Sequence, residues 1–258
     1  MNGFVVEGDP LAWLASFLLP LFRIAGFFMA VPVVASNLIP MRIRMGLAVA
    51  TTVAIWPGLP EFDAELGFGA LDWWRAAEQV VIGAALGFAL QIAFQVVVLA
   101  AQTIAMMMGL GFASMNDPTH GVSVPILSQL YSMLFTLVFL AVNGHLVMLE
   151  VVGESFNRWP LGAVGMAQGL WWLVDAGGWM FAAALLMALP AVTALLIAHL
   201  AFGVMSRAAP AFNIFSLGFP VTLLFGLVLV WFGLYRLLPQ FDQIAQVGIE
   251  LMRQVFGG

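Results

Sequence analysis

From Gln79 to Asn116 the chain contains no Asp, Glu, Lys or Arg. Its apolar part, Val80–Ala113, would measure about 51 Å as one helix at 1.5 Å per residue. A bilayer core is only about 30 Å thick. Such a run must break, tilt strongly, or stand partly outside lipid. It leads into Gly109-Leu-Gly-Phe-Ala-Ser-Met-Asn-Asp-Pro-Thr-His-Gly-Val-Ser-Val-Pro125, a polar stretch rich in Gly and Pro. A second apolar run, Ile126–Leu149, follows. A segment like Gly109–Pro125 cannot face lipid, because its backbone N–H and C=O groups need partners. It lies in water or lines a cavity within protein.

Composition sets the class. Of 258 residues, 63% are apolar and 8% charged, and the mean hydropathy is +1.06. Soluble domains carry about 25% charge; this is an integral membrane protein. The net charge of −5 argues against nucleic acid as a partner. With no Cys there is no disulfide, thiolate metal site or thiol nucleophile. Met1–Pro10 holds Glu7 and Asp9 but no basic residue, which argues against a cleavable signal peptide.

Six apolar segments are expected, all helical, in a single membrane domain over 1–258. The first is Leu11–Val34, with Arg23 as the one charge deep within an apolar run. The block Asn37–Gly46, carrying Arg42 and Arg44, precedes a short run, Leu47–Trp56. An acidic stretch follows, where Trp73 and Trp74 suit a membrane interface and Asp72 could cap the next helix. The third and fourth segments are Val80–Ala113 and Ile126–Leu149. Gly153–Gly169 reads as a loop. The fifth segment is Gly178–Val204 and the sixth Val221–Leu238. Beyond them Phe241, Ile244, Ala245, Met252, Val255 and Phe256 share one helical face, opposite Gln243, Gln246, Glu250 and Arg253. That is an amphipathic helix for an interface or a partner.

On the third segment Gln91, Gln95 and Gln102 fall within roughly 40° of each other at 100° per residue. Gly87 and Gly109 lie near the same stripe. Two readings stand. Either the Gln side chains bond between helices while Gly83-xxx-Gly87 packs closely, or the stripe, continuing to Met106, Met107 and Met108, faces a hydrated pore. Arginine counts do not orient the chain. With all six segments spanning and the N-terminus outside, three Arg (Arg42, Arg44, Arg207) lie inside against four (Arg75, Arg158, Arg236, Arg253) outside.

No catalytic, cofactor or metal site is expected. His120, His145 and His199 lie far apart, without zinc-ligand spacing. Gly109-Leu-Gly-Phe-Ala-Ser114 lacks the third Gly of a dinucleotide loop and follows no strand. Gly121-Val-Ser-Val-Pro125 departs from a nucleophile elbow at its last position. A coupled transporter is the remoter alternative. It would keep paired charges at mid-membrane and show repeat symmetry, and neither is visible. Arg23 reads as a structural cation neutralised by carbonyl groups or by a partner.

Four motifs stand in order: Pro20-Leu-Phe-Arg-Ile-Ala-Gly26, Asn37-Leu-Ile-Pro-Met-Arg-Ile-Arg-Met-Gly-Leu47, Gly109-Leu-Gly-Phe-Ala-Ser-Met-Asn-Asp-Pro118 and Arg207-Ala-Ala-Pro-Ala-Phe-Asn-Ile-Phe-Ser-Leu-Gly-Phe-Pro220. Asn143-Gly-His145 and Ser155-Phe-Asn-Arg-Trp-Pro-Leu-Gly162 accompany them. In this set and spacing the chain resembles the FliR family, R-type subunits of the flagellar type III export gate. The related injectisome gate is the alternative.

The resemblance implies bent helical hairpins, like a P-type and a Q-type subunit fused. It also implies one complex with FliP-like and FliQ-like subunits, contact with FlhB-like and FlhA-like components, and passage of unfolded exported proteins. The setting would be lipid of the bacterial inner membrane at the flagellar basal body, with part of the assembly on the periplasmic side. The loop it assigns as a pore plug is Leu110, Gly111, Phe112, Ala113, Ser114, Met115, Asn116, Asp117, Pro118, Thr119, His120, Gly121 and Val122. Arg23, Arg42, Arg44, Arg207 and Asn213 become candidates for assembly contacts.

Overall fold

In the computed structural model, residues 10–34, 39–59, 70–111, 125–160, 166–208 and 214–256 are described. They are helical almost throughout. The helices are α1 (Pro10–Ala30), α2 (Met41–Ile55), α3 (Ala70–Met107), α4 (Ile126–Ala141), α5 (Gly144–Arg158), α6 (Met166–Ala208) and α7 (Ile214–Gln254), with a 3-10 turn at Trp56–Gly58. Three stretches are long and apolar enough to span a membrane: Trp73–Met107, Trp171–Ala208 and Gly218–Gln254. Taken together, α4 and α5 form a fourth candidate. The protein is an all-α membrane protein.

Several boundaries differ from the sequence reading. Helix α3 begins at Ala70, so Asp72 is its third residue and not its cap. The run Ile126–Leu149 is broken at Asn143, which adopts φ 59°. Asn is among the few residues that tolerate this left-handed region. Gly144 follows because a Cβ there would strike the Phe139 ring. The loop expected from Gly153 is helical as far as Arg158; its polar residues are one face of a helix, with Ser155 and Phe156 buried and Asn157 and Arg158 exposed. The sixth segment and the tail are one helix, with Pro220 and Pro239 inside it.

The chain divides into two compact units. The first holds the described parts of Met1–Gln91, His145–Ala176 and Gly248–Gly258. Here α1 packs on α2, and Phe17 meets Trp56 edge-on at 5.8 Å. Helix α1 also lies directly against α3. A Cβ added at Gly26 would land on the carbonyl of Val80, and one at Gly83 on the carbonyl of Arg23. At Gly87 it would meet the Phe27 carbonyl and the Ala30 methyl, both at 2.8 Å. Small residues let two backbones approach where water supplies no driving force between helices.

The second unit holds the described parts of Ile92–Gly144 and Gly177–Val247. Its core is aromatic. Phe94 meets Phe135 at 4.5 Å and Phe139 at 5.6 Å, and Phe135 meets Phe241 at 5.3 Å, all edge-on. Edge-to-face pairs add about 0.5–1.5 kcal/mol beyond area burial. The apolar face of the tail is therefore spent inside the chain. Phe241 closes the second unit, while Phe256 meets Trp159 at 6.3 Å within the first.

Candidate functional site

Arg23 is fully buried on α1. Its Nε donates to Gln79 Oε1 at 2.7 Å. Nη1 donates to the Ser155 carbonyl at 2.9 Å and to Ser155 Oγ at 3.1 Å. Nη2 donates to the Trp159 carbonyl at 2.9 Å, and the guanidinium carbon sits 4.3 Å from the Phe156 ring centre. Ser155 lies in the last turn of α5, where its carbonyl also accepts the Trp159 N–H at 2.9 Å, and Trp159 lies just past it, at the negative end of the helix dipole. A guanidinium presents its donors in a rigid fork, and here they tie α1, α3 and the end of α5 together. This is how a cation is held in an apolar run without a carboxylate bonded to it.

Helix α3 ends just before the stretch expected to act as a plug. Gly109 adopts φ 84°, its N–H bonds the Met106 carbonyl at 3.0 Å, and the Leu110 N–H bonds the Ala105 carbonyl at 3.0 Å. That pair of bonds is a Schellman motif, which stops a helix at a left-handed glycine. Leu110 is half-buried and Gly111 buried; Phe112 to Val122 lie outside the described residues. Among the three Met, Met106 is exposed, Met107 intermediate and Met108 fully buried. Met108 packs where a Cβ on Gly226 would otherwise stand.

Gln91, Gln95 and Gln102 are each half-buried. None of the three amides has a hydrogen-bond partner among the described residues. Among the described residues, then, this stripe makes no helix-to-helix hydrogen bond. Arg42 is exposed and Arg44 intermediate on α2. Arg207 is exposed in the last turn of α6, without a partner among the described residues. Asn213 lies outside them. Nothing in the sequence marks Gln79, Ser155 and Trp159 as partners of Arg23. Only a fold can bring residues this far apart in the chain together.

The family model described as bacterial export proteins, family 1, matches residues 14–247. The chain belongs to this family. It is 37% identical over 221 residues to the flagellar biosynthetic protein FliR of Escherichia coli (strain K12), covering 85% of this chain and 84% of that one. It is 34% identical over 236 residues to the FliR of Pectobacterium carotovorum subsp. carotovorum, covering 91% and 90%. To the FliR of Bacillus subtilis (strain 168) it is 24% identical, covering 93% and 94%. This member of the bacterial export family is a membrane-embedded component of the flagellar export apparatus.

Proposed function

We propose that the chain is the R-type subunit of the flagellar export gate, joining P-type and Q-type subunits around the export channel. One observation carries this reading. The apolar stretch of α6, Trp171–Ala208, is 38 residues long and only 17% of its most apolar window is buried within the chain. It would rise about 57 Å as a straight helix, and about 44 Å even at a 40° tilt. Hydrocarbon covers about 30 Å of that. Exposed apolar side chains nevertheless continue along it, from Trp171 and Val174 through Phe181 and Leu186 to Ile197 and Val204. What lipid cannot cover, other apolar protein surfaces must. A helical assembly that stands partly on the periplasmic side of the inner membrane supplies such surfaces.

The remaining roles follow from this assignment. The unpaired amides of Gln91, Gln95 and Gln102 would meet channel water or a neighbour's polar groups, with Met106 and Met107 beside them. Residues Leu110–Val122 would plug the resting pore, starting where the Gly109 motif ends α3. Arg207 would take a carboxylate or a helix-end carbonyl of an adjacent subunit, with Arg42, Arg44 and Asn213 at further contacts. FlhB-like and FlhA-like components would engage the completed gate, and unfolded proteins would pass through it.

Co-expression with P-type and Q-type subunits should yield one discrete complex by native mass spectrometry, and α6 should gain hydrogen-exchange protection on assembly. A monodisperse monomer whose α6 is already fully protected would overturn the assignment.

A further inference from the structure

The second unit contains a cavity of about 250 Å³ between α3, α4, α6 and α7. Ile104, Met187 and Leu229 form apolar walls, while Tyr131, Arg236 and Gln240 supply polar atoms. No carboxylate lines it. Arg236 is exposed and has no partner among the described residues. Tyr131 is only 3% exposed, yet its hydroxyl has no hydrogen-bond partner among them either. The hydroxyl is not sealed from solvent; on a residue that lines the cavity it is available to donate to an acceptor held there.

The surroundings say which acceptor. Trp231 and Tyr235, on the same turns of α7 as Arg236, are 68% and 87% exposed. Amphipathic aromatics collect at the headgroup level of a bilayer. Between Gly218 and Leu234 the one hydroxyl or charged side chain of α7 is Thr222, whereas Tyr235, Arg236, Gln240, Asp242 and Gln243 follow closely, so polar residues gather on the helix around Arg236. An Arg at that boundary, above an apolar cavity, matches the chemistry of a phospholipid: a phosphodiester anion attached to hydrocarbon. Free phosphate would meet the polar groups of Arg236, Tyr131 and Gln240 but would leave the apolar walls of Ile104, Met187 and Leu229 uncovered. The volume is near the low end for ligand pockets, about 300–1,000 Å³, so it takes the glycerophosphate end and the first methylenes, not a whole lipid.

We propose that this cavity binds the glycerophosphate end of one membrane phospholipid, with the phosphate on Arg236 and the Tyr131 hydroxyl and an acyl chain along Ile104, Met187 and Leu229. The lipid would fill a gap between helices of the second unit and complete the hydrogen bonding of Tyr131.

The test uses the assembled complex in detergent and a phosphatidylglycerol bearing a diazirine near the ester of one acyl chain. Irradiation should label peptides containing Met187 or Leu229. Unlabelled phosphatidylglycerol should compete and inorganic phosphate should not. Loss of a charge-assisted contact predicts that Arg236→Gln lowers labelling at these peptides about tenfold, with labelling elsewhere unchanged, while Arg236→Lys keeps most of it. A Cβ at Gly233, another lining residue, meets nothing within 4 Å. Gly233→Leu should therefore fill the space and abolish labelling with the charge still in place. If that variant fails to assemble, the Arg236 pair decides alone. Undiminished labelling in Arg236→Gln, full competition by inorganic phosphate, or side chains of a neighbouring subunit occupying the cavity would each overturn the proposal.

Discussion

Gly83 on α3 lies beneath the main-chain carbonyl of Arg23 on α1, so close that a Cβ there would occupy the place of that oxygen. The same residue of α1 sends its side chain to Gln79, one turn earlier on α3. Helix approach and buried polar bonding are therefore coupled. The guanidinium reaches its acceptors because Gly83 lets the backbones close.

Replacing Gly83 by Ala should force α1 and α3 apart and destabilise the protein by about 1–3 kcal/mol, the usual range for overpacking. At Gly46, on α2, a Cβ would meet nothing within 4 Å. There Ala should be neutral or should stabilise by about 0.5–1 kcal/mol, through helix propensity. Thermal melting of the purified complex compares the two. Equal melting temperatures for both variants would remove the argument from close approach.

Arg23→Ala leaves the Ser155 and Trp159 carbonyls and the Gln79 amide oxygen without this donor, and opens a void. Each buried acceptor left unsatisfied costs about 1–3 kcal/mol. Membrane yield of the variant should fall steeply. Arg23→Lys keeps the charge but carries its donors on one nitrogen, without the planar fork that reaches four acceptor atoms on three residues, so it should rescue only partly. An Arg23→Ala protein that accumulates and melts like the parent would show the cluster to be dispensable.

Phe241→Ala tests whether the tail belongs to the core. It removes two edge-on contacts, to Tyr131 at 6.3 Å and Phe135 at 5.3 Å. A loss of about 3–5 kcal/mol is expected for a buried Phe, read as loss of folded protein even without partner subunits. A variant that folds normally and fails only to assemble would return the tail to the role of a docking helix.

The sequence disclosed periodic features and local punctuation, and lost what depends on distant partners. The two faces of the tail were legible because Phe241, Ile244, Ala245 and Met252 recur at helical spacing. That Phe135 and Trp159 cover this face was not, since both lie far back in the chain. The break at Asn143 was signalled by Asn143-Gly144, but the apolar run continues on either side and hides it. Ser155 to Arg158 has the composition of a loop, and only its helical face separates the buried Ser155 and Phe156 from the exposed Asn157 and Arg158. Arg23 stood out as a charge among apolar residues, to be neutralised by carbonyl groups or by a partner, and the structure shows carbonyls. Which carbonyls it uses required the fold. The charge-free run from Gln79 did become one long helix, stopped by the left-handed Gly109 close to the expected loop.

The loop that follows Gly109 carries the last prediction. If Leu110–Val122 plugs the channel, its contacts stabilise the closed state, and losing them shifts the population toward open. A plug held by about 3 kcal/mol would leave the gate open roughly 1% of the time, since each 1.4 kcal/mol is about tenfold. Deleting Asn116–Gly121, or replacing Phe112 and Met115 together by Ser, should remove much of that hold. Ions or small dyes should then leak across the membrane while the complex still assembles and export partly continues. A simple connecting turn would behave differently, because the same changes would be silent or would abolish folding. The measurement is therefore paired, with conductance or dye entry and complex yield taken from the same cells. Leakage at normal yield supports the plug; normal yield without leakage in both variants rules it out.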